Sequence, residues 1–195
     1  NTALPLRGVT TRGKGDQISF ALEHTANIVT AMEEYFDTPY PYAKLDIIAV
    51  PDFAAGAMEN AGAITYREQL ILLDENSSVS QKQGYFVTHA HELAHQWFGN
   101  LVTPLWWDDI WLNESFATWN SYIVLDTLYP GENYRESLQN SASSVMRSDS
   151  LASARQIREP IERHEDIGSA FNGITYQTGG GVLSMFESFL GRDNF

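Results

Sequence analysis

Two histidines four residues apart and a later glutamate are the residues of this sequence best suited to bind a metal ion. The histidines are His91 and His95 of the string His-Glu-Leu-Ala-His, and Glu114 follows in Trp-Leu-Asn-Glu-Ser. On a helix, residues four apart share one face and lie about 5–6 Å apart, so both imidazoles can reach one ion. Two neutral histidines and one carboxylate form a ligand set of catalytic zinc sites, which leave the fourth position open for water. The sequence therefore predicts one zinc ion bound by His91, His95 and Glu114.

Glu92 directly follows the first histidine and is predicted to act as a general base. Zinc lowers the pKa of bound water from about 15.7 to roughly 7, and a nearby carboxylate can take its proton as the water attacks a carbonyl. The predicted reaction class is metal-assisted hydrolysis. The alternative is an amphipathic helix whose histidines lie on the surface or in the core, because a bare HExxH string also occurs by chance.

Two helices are needed to carry these residues. The first is predicted to run through the histidines and to stop at Gly99, and the second runs from about Asn113 through Leu128. The second helix would place Glu114 in its first turn. His89 lies two positions before His91, so it faces away on a helix and is predicted not to be a ligand.

The remaining elements predict a mixed α+β architecture. Residues 1–20 are expected to be extended, and 23–36 to be helical because apolar residues recur there at helical spacing. Strands are predicted at 45–50, 63–66 and 70–73, with Gly56–Asn60 at the edge of their sheet. Later helices are predicted over 133–147 and over 182–190, with a polar connection at 148–166, and the apolar stripe of 182–190 indicates a core helix.

Three further motifs accompany the histidine string: Gly56-Ala57-Met58-Glu59-Asn60, Ile64-Thr65-Tyr66-Arg67-Glu68 and Ile174-Thr175-Tyr176. With HELAH and WLNES, they resemble the zinc aminopeptidases of the aminopeptidase N type, and the similarity can be followed from about residue 36 to residue 195. The resemblance implies a thermolysin-like zinc peptidase catalytic domain, in which a small mixed sheet lobe is followed by a helical lobe. It also implies one zinc ion as cofactor and peptides with a free N-terminus as substrates.

The same resemblance implies a role for each matching residue. Glu92 would be the base, and Tyr176 would donate its hydroxyl to the oxyanion that forms during hydrolysis. Glu59 would bind the free amine of the substrate, which fixes how far the first peptide carbonyl lies from zinc. The rest of that segment would form an edge for the peptide and line the pocket for its first side chain: Gly56, Ala57, Met58 and Asn60.

The sequence departs from the family pattern near these residues. Ser115 stands where many relatives have glycine, a small-for-small change that is expected to be harmless. Three consecutive glycines, Gly179–Gly181, follow the Tyr176 motif and are expected to loosen the start of the next helix. Thr118 stands where some related zinc peptidases place an aspartate that orients a ligand histidine, so weaker orientation is expected. Asp108 or Asp109 could orient that histidine instead, but each is expected to be a solvated loop carboxylate.

Composition limits the function classes. The formal net charge of −13 argues against nucleic acid as a partner, because phosphate binding requires clustered lysine and arginine. The sequence contains no apolar run of membrane-spanning length. Cysteine is absent, which excludes disulfides and leaves the localisation open.

With 195 residues and 43% hydrophobic content, the chain is long enough for one domain with a core. Similar enzymes are longer, so residues 1–195 are expected to be a catalytic domain excised from a multidomain enzyme and cut short near its C-terminal end. Flanking domains are expected, as is self-association through apolar surface that they would cover. Weak activity or none is expected of the isolated chain, because similar enzymes take a further amine-binding group from a missing domain.

Three alternatives to an aminopeptidase were compared. Glu59 argues against a zinc endopeptidase, because only an exopeptidase needs a group for a terminal ammonium. Epoxide hydrolases of the leukotriene hydrolase type usually have Gly-Gly-Met-Glu-Asn, whereas this chain has Ala57. A non-catalytic binding module that keeps the fold is disfavoured because the metal ligands, the base and the amine-binding glutamate are all present.

Overall fold

The computed structural model describes residues 4–195, which form two compact units. One unit ends at Leu101 and the other begins at Val102. The first three residues of the predicted extended segment lie outside the described residues. In the part of the chain that the structure describes, no helix has both the length and the apolar character needed to cross a membrane.

The first unit is built on a mixed four-stranded sheet. Its strands are β1 (Leu6–Val9), β2 (Leu45–Val50), β3 (Ala57–Met58) and β4 (Ala63–Arg67), in the spatial order β1-β2-β4-β3. The pairs β1–β2 and β2–β4 are parallel, whereas β3 runs antiparallel to β4 with Ala57 opposite Tyr66. β2 is a largely apolar run in the middle of the sheet, as expected for a strand covered on both faces. The predicted strands at 45–50 and 63–66 are confirmed, and β3 lies at the sheet edge as predicted.

Three helices complete the first unit: α1 (Ser19–Phe36), α2 (Glu68–Ile71) and α3 (Val79–Ala94). The helix predicted over 23–36 begins earlier, because a 3-10 turn over Gly15–Ile18 leads directly into α1. α1 ends where Asp37 adopts a left-handed conformation with φ of 46°.

The strand predicted over 70–73 is wrong, because α2 forms immediately after β4. The amide of Leu72 donates to the Glu68 carbonyl at 2.9 Å, and the amide of Leu73 donates to the Gln17 carbonyl at 3.0 Å. These amides are therefore not available to a strand partner. A short apolar run fits a strand or a helical turn equally well, and here the turn buries Ile71 and Leu73.

α3 contains His91, has His95 as its C-cap residue and begins with a capping box. Ser78 Oγ accepts from the Gln81 amide at 3.2 Å, and Gln81 Oε1 accepts from the Ser78 amide at 2.9 Å. The predicted extension to Gly99 is wrong, since α3 ends at Ala94 and the Gln96 and Trp97 amides bond three residues back, as in a 3-10 helix. The residues after His95 therefore lie in turns rather than along the helix.

The second unit is helical. It contains α4 (Ile110–Leu128), α5 (Tyr134–Asp149) and α6 (Gly179–Leu190), with a 3-10 helix over His164–Ala170 and a π-helical turn over Ile174–Thr178 between the last two. The helix predicted over 133–147 is confirmed. A 3-10 turn over Trp107–Asp109 leads into α4, which begins at Ile110 rather than Asn113. Glu114 therefore lies in the second turn of α4, not in the first.

Residues 182–190 are helical as predicted, but the prediction that this helix is buried in the core is wrong. Val182 and Leu183 are half-buried, but four large apolar side chains of α6 are exposed: Met185, Phe186, Phe189 and Leu190. Gly179, Gly180 and Glu187 are its buried residues instead. An apolar stripe predicts a buried face only where another element covers it, and here the glycine-lined face of α6 makes the close contacts.

Candidate metal centre

His91 and His95 lie at the C-terminal end of α3 with their ring nitrogens facing each other. The two Nε2 atoms are 3.0 Å apart, and the rings are nearly perpendicular at 86°. His95 Nδ1 lies 3.1 Å from the Phe98 carbonyl oxygen, to which it can only donate. This bond fixes the tautomer that leaves the Nε2 lone pair of His95 directed toward His91. Histidine ligands of metals commonly have their other ring nitrogen held in this way.

The donor set fits a zinc ion. A His-His-Glu group able to hold a metal ion, made of His91, His95 and Glu114, is present among the described residues. His95 is 1% exposed and Glu114 is 5% exposed. Buried imidazole nitrogens and a buried carboxylate are unfavourable without a proton or cation to accept their lone pairs. Nitrogen with a single carboxylate suits zinc, whereas calcium and magnesium prefer oxygen ligands.

His89 is held in a different network of the first unit, in agreement with its prediction as a non-ligand. Thr25 Oγ1 donates to the Ala21 carbonyl at 2.7 Å, so it accepts from His89 Nε2 at 2.9 Å. The Tyr66 hydroxyl then donates to His89 Nδ1 at 2.8 Å. Burial, with a smaller contribution from the charge of His24, lowers the pKa of His89 to about 3. His89 is therefore neutral, with both ring nitrogens in hydrogen bonds.

Glu92, the predicted base, is 6% exposed on α3. Burial raises the pKa of the Tyr66 hydroxyl well above its ordinary value, and the charge of Glu92 raises this pKa further. Tyr66 consequently remains protonated and keeps its donor bond to His89. The carboxylate of Glu92 thus influences a buried hydrogen-bond network of the same unit through its charge.

The predicted substrate-binding segment Gly56–Asn60 lies along the outermost strand of the described sheet. Arg67 donates its amide to the Gly56 carbonyl at 2.9 Å, and its guanidinium donates to three carbonyls just before Gly56. Asn60 Nδ2 donates to Thr65 Oγ1 at 3.2 Å. Met58 is 44% exposed. Such an exposed edge is suited to pairing with an extended peptide.

The main chain of Glu59 is tied to residues that follow His95. Its carbonyl oxygen accepts from Gln96 Nε2 at 3.0 Å and from Asn100 Nδ2 at 2.7 Å. Sequence analysis did not identify Gln96 or Asn100 as part of the site. A sequence feature that could have indicated them is that both have side-chain amides and lie within five residues of the predicted ligand His95.

In the second unit, the residues next to Glu114 and Tyr176 contact each other directly. Ser115 Oγ donates to the Thr175 carbonyl at 2.6 Å. A Cβ atom on Gly179 would lie 2.7 Å from the Ser115 Cβ and closer still to its Oγ. The expectation that these glycines loosen the start of α6 is therefore wrong, because a side chain at Gly179 would collide with α4.

Tyr176 lies in the π-helical turn before α6 and is half-buried. Thr175, its neighbour, is buried and donates its hydroxyl to the Ala170 carbonyl. Arg155 Nη2 donates to the Thr175 hydroxyl and, at 3.0 Å, to Asn172 Oδ1. π-Helical turns occur frequently at functional sites. Hydrogen bonds to Thr175, the residue before Tyr176, thus hold this turn in place.

The acidic residues before α4 are engaged within the second unit. Asp108 Oδ1 accepts from the Ile161 amide at 2.8 Å. Asp109 accepts two bonds from the Arg158 guanidinium, at 2.7 and 3.2 Å, which lower the pKa of its carboxyl. Neither is simply solvated as predicted, because each carboxylate anchors the segment at 158–161.

Comparison with known proteins gives a consistent result. The family model described as the peptidase family M1 domain matches residues 20–195. Aminopeptidase M1-D of Oryza sativa subsp. japonica is 47% identical over 191 residues, covering 97% of this chain and 22% of that protein. Aminopeptidase M1 of Arabidopsis thaliana is 46% identical over 184 residues, covering 94% and 21%. Leucyl aminopeptidase of Saccharolobus solfataricus is 42% identical over 184 residues, covering 94% and 23%. The chain thus spans less than a quarter of the length of these relatives.

Proposed function

The chain belongs to peptidase family M1, and from this premise we propose that it is the catalytic domain of a zinc-dependent aminopeptidase. The proposed reaction removes the N-terminal residue from peptides. The observation that carries the proposal is the pair of imidazoles on α3, with facing Nε2 atoms 3.0 Å apart and the His95 tautomer fixed by Phe98. Further support comes from the same unit, where the main-chain carbonyl of Glu59 accepts hydrogen bonds from Gln96 and Asn100, which follow this pair.

His91, His95 and Glu114 would hold the zinc ion. When bound, zinc supplies a Lewis acid that polarises the substrate carbonyl and acidifies the attacking water. Glu92 would accept the proton of that water, since it is a buried carboxylate on the helix that carries both histidines. Tyr176 would donate its hydroxyl to the oxyanion. The main chain of this residue lies in the π-helical turn, which would hold the donor in position.

Glu59 would bind the substrate ammonium, because a carboxylate both neutralises that charge and accepts its hydrogen bonds. The peptide would extend along the exposed edge formed by Gly56–Asn60. Binding the amine in this way fixes which peptide carbonyl reaches the metal. A peptide with a blocked amine would lack this contact, which distinguishes an aminopeptidase from an endopeptidase.

The rest of the parent enzyme would complete the substrate site. The relatives are more than four times as long as the matched region, which is consistent with flanking domains. We also propose that these domains cover part of the exposed apolar surface, such as that of α6. In their absence the same surface would favour self-association.

The test measures cleavage of leucine anilide and of its N-acetylated form by the zinc-loaded chain. The proposal predicts that any cleavage by the isolated chain, which is expected to be weak, is confined to the free-amine substrate and is lost in Glu92→Gln with zinc retained. Glu34→Gln, at an exposed carboxylate of α1, is the matched control and should behave as wild type. Equal cleavage of both substrates would contradict an aminopeptidase. Zinc binding without any cleavage would support the metal site and assign the missing activity to the flanking domains, because weak activity or none is expected of the isolated chain. Absence of zinc binding would contradict the proposed ligands.

A further inference from the structure

Gln96 is the residue immediately after His95, and it is fully buried at 0% exposure. A buried side-chain amide is costly unless its hydrogen bonds are made. All of its hydrogen-bonding capacity is used within the first unit. Oε1 accepts from the Gly62 amide at 3.0 Å and from the Tyr40 hydroxyl at 3.3 Å. Nε2 donates to the Glu59 carbonyl at 3.0 Å and to the Glu92 carbonyl at 3.4 Å.

These partners define a single orientation of the Gln96 amide. The Gly62 amide and the Tyr40 hydroxyl can donate to Oε1, whereas the two carbonyls can only accept from Nε2. The amide therefore joins the main chain of α3, at Glu92, to the main chain of the substrate segment, at Glu59. A hydrophobic side chain of similar size would fill the space but make none of these bonds.

Asn100 makes a second connection to the same carbonyl. Its Nδ2 donates to the Glu59 carbonyl at 2.7 Å, while its own amide donates to the His95 carbonyl at 3.0 Å. Glu59 is thus connected to the main chain of one predicted ligand through Asn100, and to that of the predicted base through Gln96. The bonds through Asn100 are 2.7 and 3.0 Å long, and those through Gln96 are 3.0 and 3.4 Å long.

The sheet holds Glu59 less directly than these amides do. β3 comprises Ala57 and Met58, so Glu59 lies just beyond the paired residues. The following turn closes with the Ala63 amide donating to the Asn60 carbonyl at 2.9 Å. Gly62 in this turn has φ of +65°, and a Cβ there would lie 3.0 Å from the Lys44 carbonyl oxygen. The turn thus presents the Gly62 amide to Gln96.

We propose that Gln96 and Asn100 are positioning residues that set the distance between the Glu59 carboxylate and the imidazoles of His91 and His95. This inference rests on the proposed function, in which Glu59 binds the substrate amine. It makes these two amides determinants of which ligands bind. A ligand must carry an ammonium at one fixed separation from its metal-binding group.

The test compares two hydroxamates on the zinc-loaded chain by calorimetry. Leucine hydroxamate carries the free amine, and 4-methylpentanohydroxamate is the same molecule without it. The preference of the wild-type chain for leucine hydroxamate should fall by about tenfold or more in Gln96→Leu, because a misplaced binding group loses most of its effect. The affinity for 4-methylpentanohydroxamate should change less than twofold. Asn100→Ala should lower the preference by a smaller factor. Because Asn100 is only half-buried, this variant tests the inference even if Gln96→Leu fails to fold.

Tyr85→Phe is the matched control, because it removes a buried hydrogen bond of α3 to the Ala21 carbonyl, 3.1 Å long, that does not involve Glu59. It should lower the melting temperature and leave the ligand preference unchanged. An unchanged preference in both Gln96→Leu and Asn100→Ala would overturn the inference, as would an equal fall in Tyr85→Phe. A wild-type chain without any preference for the free amine would overturn the proposed role of Glu59, and this inference with it.

Discussion

The two units hold the predicted site residues with different contributions from hydrogen bonds and close packing. In the first unit, Gln96 and Asn100 hold the main chain of Glu59 by side-chain hydrogen bonds of 3.0 and 2.7 Å. In the second, a 2.6 Å hydrogen bond joins the neighbours of Glu114 and Tyr176, Ser115 and Thr175, and close packing is added to it, with Gly179 placed directly against Ser115. A directional bond sets a distance and is lost when one polar group is removed. A close contact becomes a steric clash when one carbon atom is added. The first region should therefore be sensitive to polar deletions and the second to added volume.

The largest effect is expected from Gly179→Ala in the second unit. The new Cβ would lie 2.7 Å from the Ser115 Cβ, and both residues are buried. Overpacking of this kind costs about 1–3 kcal/mol or more of unfolding free energy. Denaturant unfolding measures it, with Gly131→Ala as the control because nothing lies within 4 Å of a Cβ at that glycine.

A double variant sharpens this prediction. Ser115→Gly removes the side chain that the new methyl group meets, so it should recover part of the stability lost in Gly179→Ala. If the double variant is no more stable than Gly179→Ala alone, the contact between these two residues does not limit packing in the second unit.

The next effect is expected from Tyr66→Phe in the first unit. It leaves His89 Nδ1 without its donor in a fully buried network, which costs about 1–3 kcal/mol. Tyr85→Phe should cost less, because the Ala21 carbonyl that it leaves keeps a second donor, Thr25 Oγ1 at 2.7 Å. Thermal and urea unfolding of both variants test this order, and a larger loss in Tyr85→Phe would contradict it.

A smaller effect is expected from Ser115→Ala, which removes the 2.6 Å bond to the Thr175 carbonyl without adding volume. Its cost should be about 1 kcal/mol, the usual net value of one such hydrogen bond. Ser121→Ala is the control on the same helix, since it removes a 2.7 Å bond to the Thr118 carbonyl. The two should lose similar stability by urea unfolding. A loss in Ser115→Ala as large as in Gly179→Ala would show that the second unit depends on this bond rather than on packing.

The smallest effect concerns the acid side of the stability curve. Hydrogen bonds from Arg7 and Lys44 lower the pKa of Asp46 on β2 in the first unit. Because the folded pKa lies below the unfolded value of about 3.9, this contribution is present above that pH and is lost as pH falls through the folded pKa. Urea unfolding from pH 7 to pH 2 should show a steeper acid loss in wild type than in Asp46→Asn. Identical slopes would contradict it.

Asp109 of the second unit offers the matching case. Arg158 lowers the pKa of its carboxyl in the same direction. Asp109 is more exposed than Asp46, with side-chain exposures of 34% and 7%. Exposed ion pairs contribute little to stability. Asp109→Asn should therefore change the acid slope less than Asp46→Asn does.

The sequence was most informative where one local pattern had one structural solution. The apolar run of β2 and the spacing of His91 and His95 are such patterns, and the structure confirms the strand and the facing imidazoles. Roles assigned to Glu59, Glu92 and Tyr176 came from resemblance and stay predictions. These roles concern chemistry with a substrate, which backbone patterns do not determine.

Other features depend on contacts between distant residues, so local patterns could not reveal them. The apolar run after β4 became a helical turn because its last amide bonds to Gln17. The stripe of α6 suggested burial, but its glycine-lined face makes the close contacts. Gln96 contacts Gly62 and Glu59, far away in sequence, and its neighbours along the chain give no sign of this.

Zinc content is the most direct test of the central claim, that His91, His95 and Glu114 hold one metal ion. Metal analysis after equilibration with zinc and removal of excess should give about one zinc per wild-type chain. His95→Ala and Glu114→Gln should each lose it, whereas Glu136→Gln, at an exposed carboxylate of α5, should retain it. A wild-type chain without zinc, or full zinc binding in Glu114→Gln, would contradict the account.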